Sequence, residues 1–241
     1  MISPADPLTL ALAAVPGNIQ HIDISPDGNF VWVCSDNTST KSIILKRSTR
    51  DDPTSPYVVS INNTAMSAVY GQYGRVSCWM KDNRHIWAGS STVTTITNYN
   101  SDSYILRYDP DTDTIQQIKK INGGGSAHNM VLSPSGEWGA AVSLSSQNPT
   151  VQFYRWASDF SDIVDITPYY FDGGGSTHCS PFWHPTLPLV CVPKVEALAA
   201  NSLSVFRHNG TSWVKVTVTP PKPRGYAGGF LNGGKIMWLA H

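Results

Sequence analysis

Two loops of nearly identical make-up carry the side chains best suited to contact a ligand: NGGGSAH at Asn122 to His128 and DGGGSTH at Asp172 to His178. In each, three glycines let the backbone turn tightly or come close to a bound group. The histidine that follows can donate or accept a hydrogen bond or coordinate a metal. Gly124, Ser126 and His128 in the first loop, and Gly174, Ser176 and His178 in the second, are therefore candidate binding residues. His21 holds nearly the same place in an earlier segment, and Glu196 lies in a loop expected on the same side. A plainer role competes with this one. Ser35, Ser90 and Ser143 stand where they could receive hydrogen bonds from such histidines, so each imidazole would brace its own segment instead of meeting a ligand.

Other chemistry-bearing residues point away from catalysis. Asp109, Asp111 and Asp113 alternate as calcium ligands do, but the glycine and distal glutamate of an EF-hand are missing, and a polar hairpin turn is expected. Cys34, Cys78, Cys179 and Cys191 lie in apolar runs without CxxC spacing and read as buried thiols. A Cys179–Cys191 bridge across one hairpin would need unusual geometry. No G-x-S-x-G elbow, phosphate-binding loop with lysine or His-Glu-x-x-His is present. Sugar hydrolysis needs paired carboxylates, and Asp23 is the single acid in the innermost strand segments. No catalytic residue, cofactor or metal is expected. Trp156, Trp183 and Trp213 could serve as sugar platforms or simply pack the core.

The elements that position these residues come from an internal repeat. Five segments each show an apolar run, a tight turn and a second apolar run: HIDISPDGNFVWVCS from His21, VSCWMKDNRHIWAGS from Val76, HNMVLSPSGEWGAAVS from His128, CSPFWHPTLPLVCVP from Cys179 and GGFLNGGKIMWLAH from Gly228. Their turns superpose at Asp27, Asp82, Ser135, Thr186 and Gly233, which brings Trp32, Trp87 and Trp238 into register. Proline followed by Asp-Gly or Ser-Gly is the chemistry of a hairpin reversal. Between these hairpins lie four further strand pairs: KSIILKRS with YVVSINN, SYILRYD with TIQQIKKI, TVQFYRWAS with DIVDITPY and SLSVFRHNG with SWVKVTVTP. Val214, Val216 and Val218 share one face of the last, and no stretch has helical periodicity.

YDPDTDTIQQI at Tyr108 to Ile118 and the two SPxG hairpins resemble the repeats of WD-type, kelch-type and YVTN-type β-propellers. The resemblance implies an all-β chain forming one propeller domain over residues 1–241, with five blades of four strands and a binding face at one end. The fifth repeat supplies only its first hairpin, so Leu8 to Val15 is expected to complete that blade as an outer strand. Its third strand is then unaccounted for, unless Met1 to Pro4 supplies it or further blades follow.

Composition narrows the function. Formal net charge is zero and only 14% of the 241 residues are charged, which disfavours nucleic acid and anionic membranes as partners. Glutamate is limited to Glu137 and Glu196, and Ser, Thr, Asn and Gly take the place of charge. That bias resembles proteins working outside the cell or in virus particles, yet the apolar stretch Leu8 to Val15 lacks the basic flank of a signal peptide. A virion protein reconciles the two. The expected function is a non-catalytic structural or attachment component of a large assembly, a bacteriophage particle above all, with other proteins of that assembly as partners. A carbohydrate-binding lectin and an intracellular interaction scaffold are the alternatives.

Overall fold

The computed structural model describes residues 19–35, 42–50, 52–61, 74–90, 103–121, 127–143, 151–169, 180–193, 203–216 and 227–240. Apart from one short 3-10 turn at Asn232–Gly234, every regular element among them is a β-strand. Four sheets of four strands form in sequence order: β1 (Ile19–Ile24) to β4 (Tyr57–Ile61) through β2 (Phe30–Ser35) and β3 (Ser42–Arg47); β5 (Gly74–Trp79) to β8 (Thr114–Ile121) through β6 (His85–Ser90) and β7 (Ser103–Asp109); β9 (Ala127–Leu132) to β12 (Ile163–Tyr169) through β10 (Trp138–Ser143) and β11 (Val151–Trp156); and β13 (Phe182–Trp183) to β16 (Trp213–Val216) through β14 (Leu189–Pro193) and β15 (Leu203–His208). A fifth sheet pairs β17 (Ala227–Leu231) with β18 (Ile236–Ala240). Each four-stranded sheet is an antiparallel meander, as the repeat predicts, and the fifth is a two-stranded hairpin among the described residues.

The first hairpin of each four-stranded sheet is closed by the same bond. The N–H of Ser25, Met80, Ser133 and His184 donates to the carbonyl of Phe30, His85, Trp138 and Leu189, at 2.8–2.9 Å. In the first three, Gly28, Asn83 and Gly136 hold left-handed φ of 72°, 60° and 77°, the conformation that explains glycine or asparagine there. The fourth turn, Pro185 to Pro188, has no left-handed residue and adds a bond from Leu189 N–H to the Leu187 carbonyl. On the third strands a buried run ends at one solvent-facing cation. Arg107, Arg155 and Arg207 are exposed and Lys46 is half-buried, and they pair in register with His85, Trp138, Leu189 and Phe30.

The described residues up to Ile121 form one compact unit and those from Ala127 onward a second. The first is packed by Phe30, Trp32, Ile44, Trp79, Ile86, Leu106 and Tyr108, the second by Trp138, Val142, Phe153, Val190, Phe206 and Trp213. Each such large side chain contributes roughly 1.5–3 kcal/mol by leaving water. Trp32 and Trp87 are buried against the third strands, where they pair with Ile44 and Ile105. Trp238, predicted to be their equivalent, is 44% exposed; among the described residues no third strand covers its hairpin, and its indole lies over Gly229. The fifth hairpin is instead held by contacts to the fourth sheet. Phe230 packs on Phe182 and His184, and the positions of Gly228 and Gly234 leave no room for a Cβ against Phe182 and His184.

Val214 and Val216 do share a face, an exposed one on the outermost strand. Cys34, Cys78 and Cys191 are buried thiols, and burial pushes Cys191 up to about 12. Leu8 to Val15, Met1 to Pro4, Val218 and Cys179 lie outside the described residues.

Candidate functional site

Within each unit two consecutive four-stranded sheets meet, and the hairpin turns give a residue-by-residue correspondence between the two joints. Ser25, Met80, Ser133 and His184 are equivalent, and so are Phe30, His85, Trp138 and Leu189. Phe30 and Trp138 therefore correspond, as do Trp79 and Trp183, Tyr108 and His208, and Lys46 and Arg155.

In the first unit this joint is closed. Phe30 stacks on Trp79 at 5.7 Å between ring centres, and Tyr108 meets both edge-on at 5.2 and 6.0 Å. Three polar links cross it. The Asp23 carboxylate on β1 accepts the Trp79 N–H, and burial pushes Asp23 up to about 6, opposed by the backbone N–H groups of Trp79 and Ile24. The Asp27 N–H donates to the Asn83 side chain at 2.9 Å. From the third strand of its sheet, Lys46 donates to both Asp113 carboxylate oxygens at 2.6 Å, and the Ser60 and Tyr108 hydroxyls add bonds of 2.6 and 3.2 Å. Partial burial pushes Asp113 upward, but Lys46 and Ser60 outweigh it and hold the carboxyl below its usual range. Burial, reinforced by the Asp113 charge, raises the Tyr108 hydroxyl. The aspartate run is thus a polar turn as expected, with its last member spent on Lys46. Among the described residues no three metal-ligating side chains converge.

In the second unit the same joint is open. A groove of about 670 Å³ runs between the turns 133–137 and 184–188, with Trp138, Trp183, Pro185, Leu187, Arg155 and His208 in its lining. A second hollow of about 600 Å³ adjoins it, sharing Ser135, Glu137 and Arg155 and continuing along Trp156, Phe160 and Val164. Each polar link of the closed joint has lost a partner. Val131 stands where Asp23 does, and here the Trp183 indole N–H donates to the Val131 carbonyl at 3.3 Å. Leu187, 51% exposed, stands in place of Asn83. Six residues, 109–114, lie between the paired Tyr108 and Ile115, whereas four, 209–212, lie between His208 and Trp213, so no counterpart of Asp113 reaches across.

The groove's polar groups are only partly engaged. Arg155 Nε donates to Glu137 at 3.0 Å, with both side chains half exposed, and the guanidinium lies 5.8 Å from the Trp138 ring. His208 packs on Trp138 and Trp213, and its Nδ1 accepts the Gly210 N–H at 3.3 Å, which leaves the neutral ring's proton on Nε2. His184 is committed elsewhere: its Nδ1 accepts the N–H groups of Thr186 and Leu187, which fixes the turn. Such a site can hold an extended ligand by apolar contact with Trp183 and the flanking prolines, over the edge of Trp138, and by donors at Arg155 and His208.

Of the residues singled out by sequence, His21 is half-buried on β1 opposite Cys34, and Ser35, Ser90 and Ser143 close β2, β6 and β10. His128 has its backbone in β9. Gly124, Ser126, Gly174, Ser176, His178 and Glu196 lie outside the described residues. Of the three candidate platforms, Trp156 and Trp213 are core residues at 4% and 7% exposure, while half-buried Trp183 lines the groove. Arg155 was not anticipated. Its signal was present as a cation at one place in every second strand pair: Lys46, Arg107, Arg155 and Arg207.

The sequence matches no family model and no curated protein. Its fold, by contrast, resembles that of solved structures. A periplasmic gluconolactonase from Pseudomonas aeruginosa superposes with a TM-score of 0.60 at 13% identity, over 90% of this chain and 63% of that one. A chain of the mitotic checkpoint complex superposes with a TM-score of 0.53 at 13% identity, over 92% of this chain and 71% of that one. This chain spans less than two thirds of the gluconolactonase's length. Together with the successive four-stranded meanders, these likenesses establish a β-propeller fold.

Proposed function

We propose that this chain is a non-catalytic binding propeller that serves as a structural or attachment component of a larger assembly, docking a partner protein through the groove of its second unit. The observation that carries the proposal is the make-up of that groove: two tryptophans, prolines and a half-exposed arginine beside a histidine donor. Tryptophan and arginine are the residues that most often carry the energy of protein–protein binding. The charge-poor composition rich in Ser, Thr, Asn and Gly suits a particle exposed to the extracellular medium, and a bacteriophage virion is the assembly we favour.

The test is copurification of the chain with proteins of its particle, compared with Trp183→Ala and Arg155→Glu variants shown to be folded. Retention of the wild type with loss by both variants supports docking through this face. Specific retention on a glycan array by a self-contained monomer would replace it with the lectin reading, since Trp183 could equally stack on a sugar. Turnover of an aldonolactone, suggested by the gluconolactonase likeness, would overturn the non-catalytic assignment.

A further inference from the structure

We infer that the groove of the second unit is a seat for an aspartate or glutamate side chain presented by a partner polypeptide, recognised by Arg155 and His208. The inference rests on the docking role above and names the chemistry of its partner. It comes from the internal repeat. In the first unit the place beside the third-strand cation is occupied by a carboxylate from the chain itself, Asp113, which takes both its oxygens to Lys46. In the second unit the cation persists at the same register and the aromatic wall persists as Trp138, Trp183 and His208; the carboxylate reaching over from the next sheet is missing because the β15–β16 connection is shorter, and Arg155 pairs through Nε with Glu137 of its own sheet.

The donors of the open seat suit a carboxylate better than those of the closed one. Arg155 uses Nε on Glu137, while no described contact engages its two terminal nitrogens. Their N–H groups form the planar fork that binds a carboxylate through two parallel bonds, where a lysine offers a point charge. His208 holds its proton on Nε2, because Nδ1 accepts from Gly210. It replaces the Tyr108 hydroxyl that completes the Asp113 site in the first unit. The two hollows that meet at Ser135, Glu137 and Arg155 leave room for the flanking residues of an extended segment on either side of its acid. Glu137 is the charge that works against an incoming acid, but it is about half exposed and engages only one nitrogen of the guanidinium.

The probe is a synthetic octapeptide with the sequence of residues 108–115, YDPDTDTI, compared with the same peptide carrying Asn at its three Asp positions. Each is titrated to about 5 mM into the 15N-labelled full chain, the range in which a single charged seat registers. The expected result is saturable movement of the Trp183 and Trp138 indole signals with the acidic peptide and binding at least about tenfold weaker with the neutral one, a difference of about 1.4 kcal/mol. Arg155→Gln should lose the same factor, Arg155→Lys should recover part of it, and Lys46→Gln should change nothing. Far-UV circular dichroism confirms that each variant is folded. Equal binding of the two peptides, indifference to Arg155→Gln, or absence of indole movement would each overturn the inference. If the peptide fails while Trp183→Ala still abolishes copurification, the docking role stands and the acidic seat falls. If the acidic peptide binds as expected and nothing copurifies, the docking role falls and the seat stands.

Discussion

Across the joint of the first unit run a carboxylate from Asp23, a carboxamide from Asn83 and a second carboxylate from Asp113; in the second unit the same places hold Val131, Leu187 and a shorter connection. What is kept between the two is what the sheet fold demands: the closing bond of the first hairpin, an aromatic at Phe30 and Trp138, and a tryptophan at Trp79 and Trp183. What differs is polar and lies at the rim. The groove thus arises by subtraction. Removing cross-sheet links from a repeated joint opens a cleft while the closing hairpin bonds are kept and the β13–β14 ladder shortens to two residue pairs. The second unit offsets the loss with apolar contact, since Trp213 replaces Ile115 and stacks on Phe153 at 4.2 Å.

The two joints should differ most on truncation of the tryptophan they share, Trp79 in the closed one and Trp183 in the open one. Trp79 is 4% exposed and packed on Phe30 and Tyr108, so Trp79→Ala should cost about 3–4 kcal/mol, near the usual loss for a buried aromatic. Half-buried Trp183 in the open joint already meets solvent on one side, and Trp183→Ala should cost about half as much. Chemical denaturation of both variants checks the order; equal losses would mean that the second joint is as tightly packed as the first.

Next in size is the effect of pH on the closed joint. Asp23, with a folded pKa of about 6, binds its proton more tightly in the folded chain than in the unfolded one. Its contribution to stability is therefore fully present below about pH 4 and is lost as pH rises through 6. Asp23→Asn removes that titration while keeping an oxygen to accept the Trp79 N–H. Relative to wild type, the variant should gain on the order of 2 kcal/mol in unfolding free energy between pH 4 and pH 7.5. A difference that stays flat across this range would show that the buried carboxyl does not titrate as described.

The links themselves are worth less. Lys46 and Asp113 keep 28% and 37% of their side-chain surface, so a double-mutant cycle with Lys46→Met and Asp113→Asn should yield a coupling of about 0.5–1 kcal/mol. A coupling near zero would leave Ser60 and Tyr108 as the true partners of Asp113.

Much of the fold could be read from the sequence because the period of two, the turn residues and the fivefold recurrence all follow from backbone chemistry that acts locally. Gly28 and Gly136 are glycine for their left-handed φ, and the strand pairs after them match the observed ladders. The joints were not legible in the same way. Asp113 looked like a turn residue, and it is one, but its partner Lys46 lies 67 positions away and belongs to another sheet. Trp183 and Trp213 look alike as letters, and only the packing separates the groove lining from the core. Trp238 followed the register of Trp32 but not its burial, because burial depends on the third strand that covers it. The cations of the third strands were visible as a repeated letter. Without the paired strand, nothing marked Arg155 as the one facing an open joint.

The smallest effect expected on stability tests the open joint most sharply. Glu137 and Arg155 are both about half exposed, and a single bond of 3.0 Å joins them, so solvent screens the pair and Glu137→Gln should change unfolding free energy by less than about 0.5 kcal/mol. Its effect on binding should be larger than its effect on folding. Removing the carboxylate frees the Arg155 Nε from a charged acceptor and takes away the negative charge that an incoming acid must approach. Opposite charges near a protein surface attract by a few kcal/mol at contact and like charges repel by a similar amount, so the acidic octapeptide should bind about 3–10-fold more tightly to Glu137→Gln than to wild type. The neutral peptide should not distinguish the two proteins. If Glu137→Gln instead weakens the acidic peptide, the glutamate serves to hold the guanidinium in position for the ligand, and Arg155 recognises its partner only from within that pair.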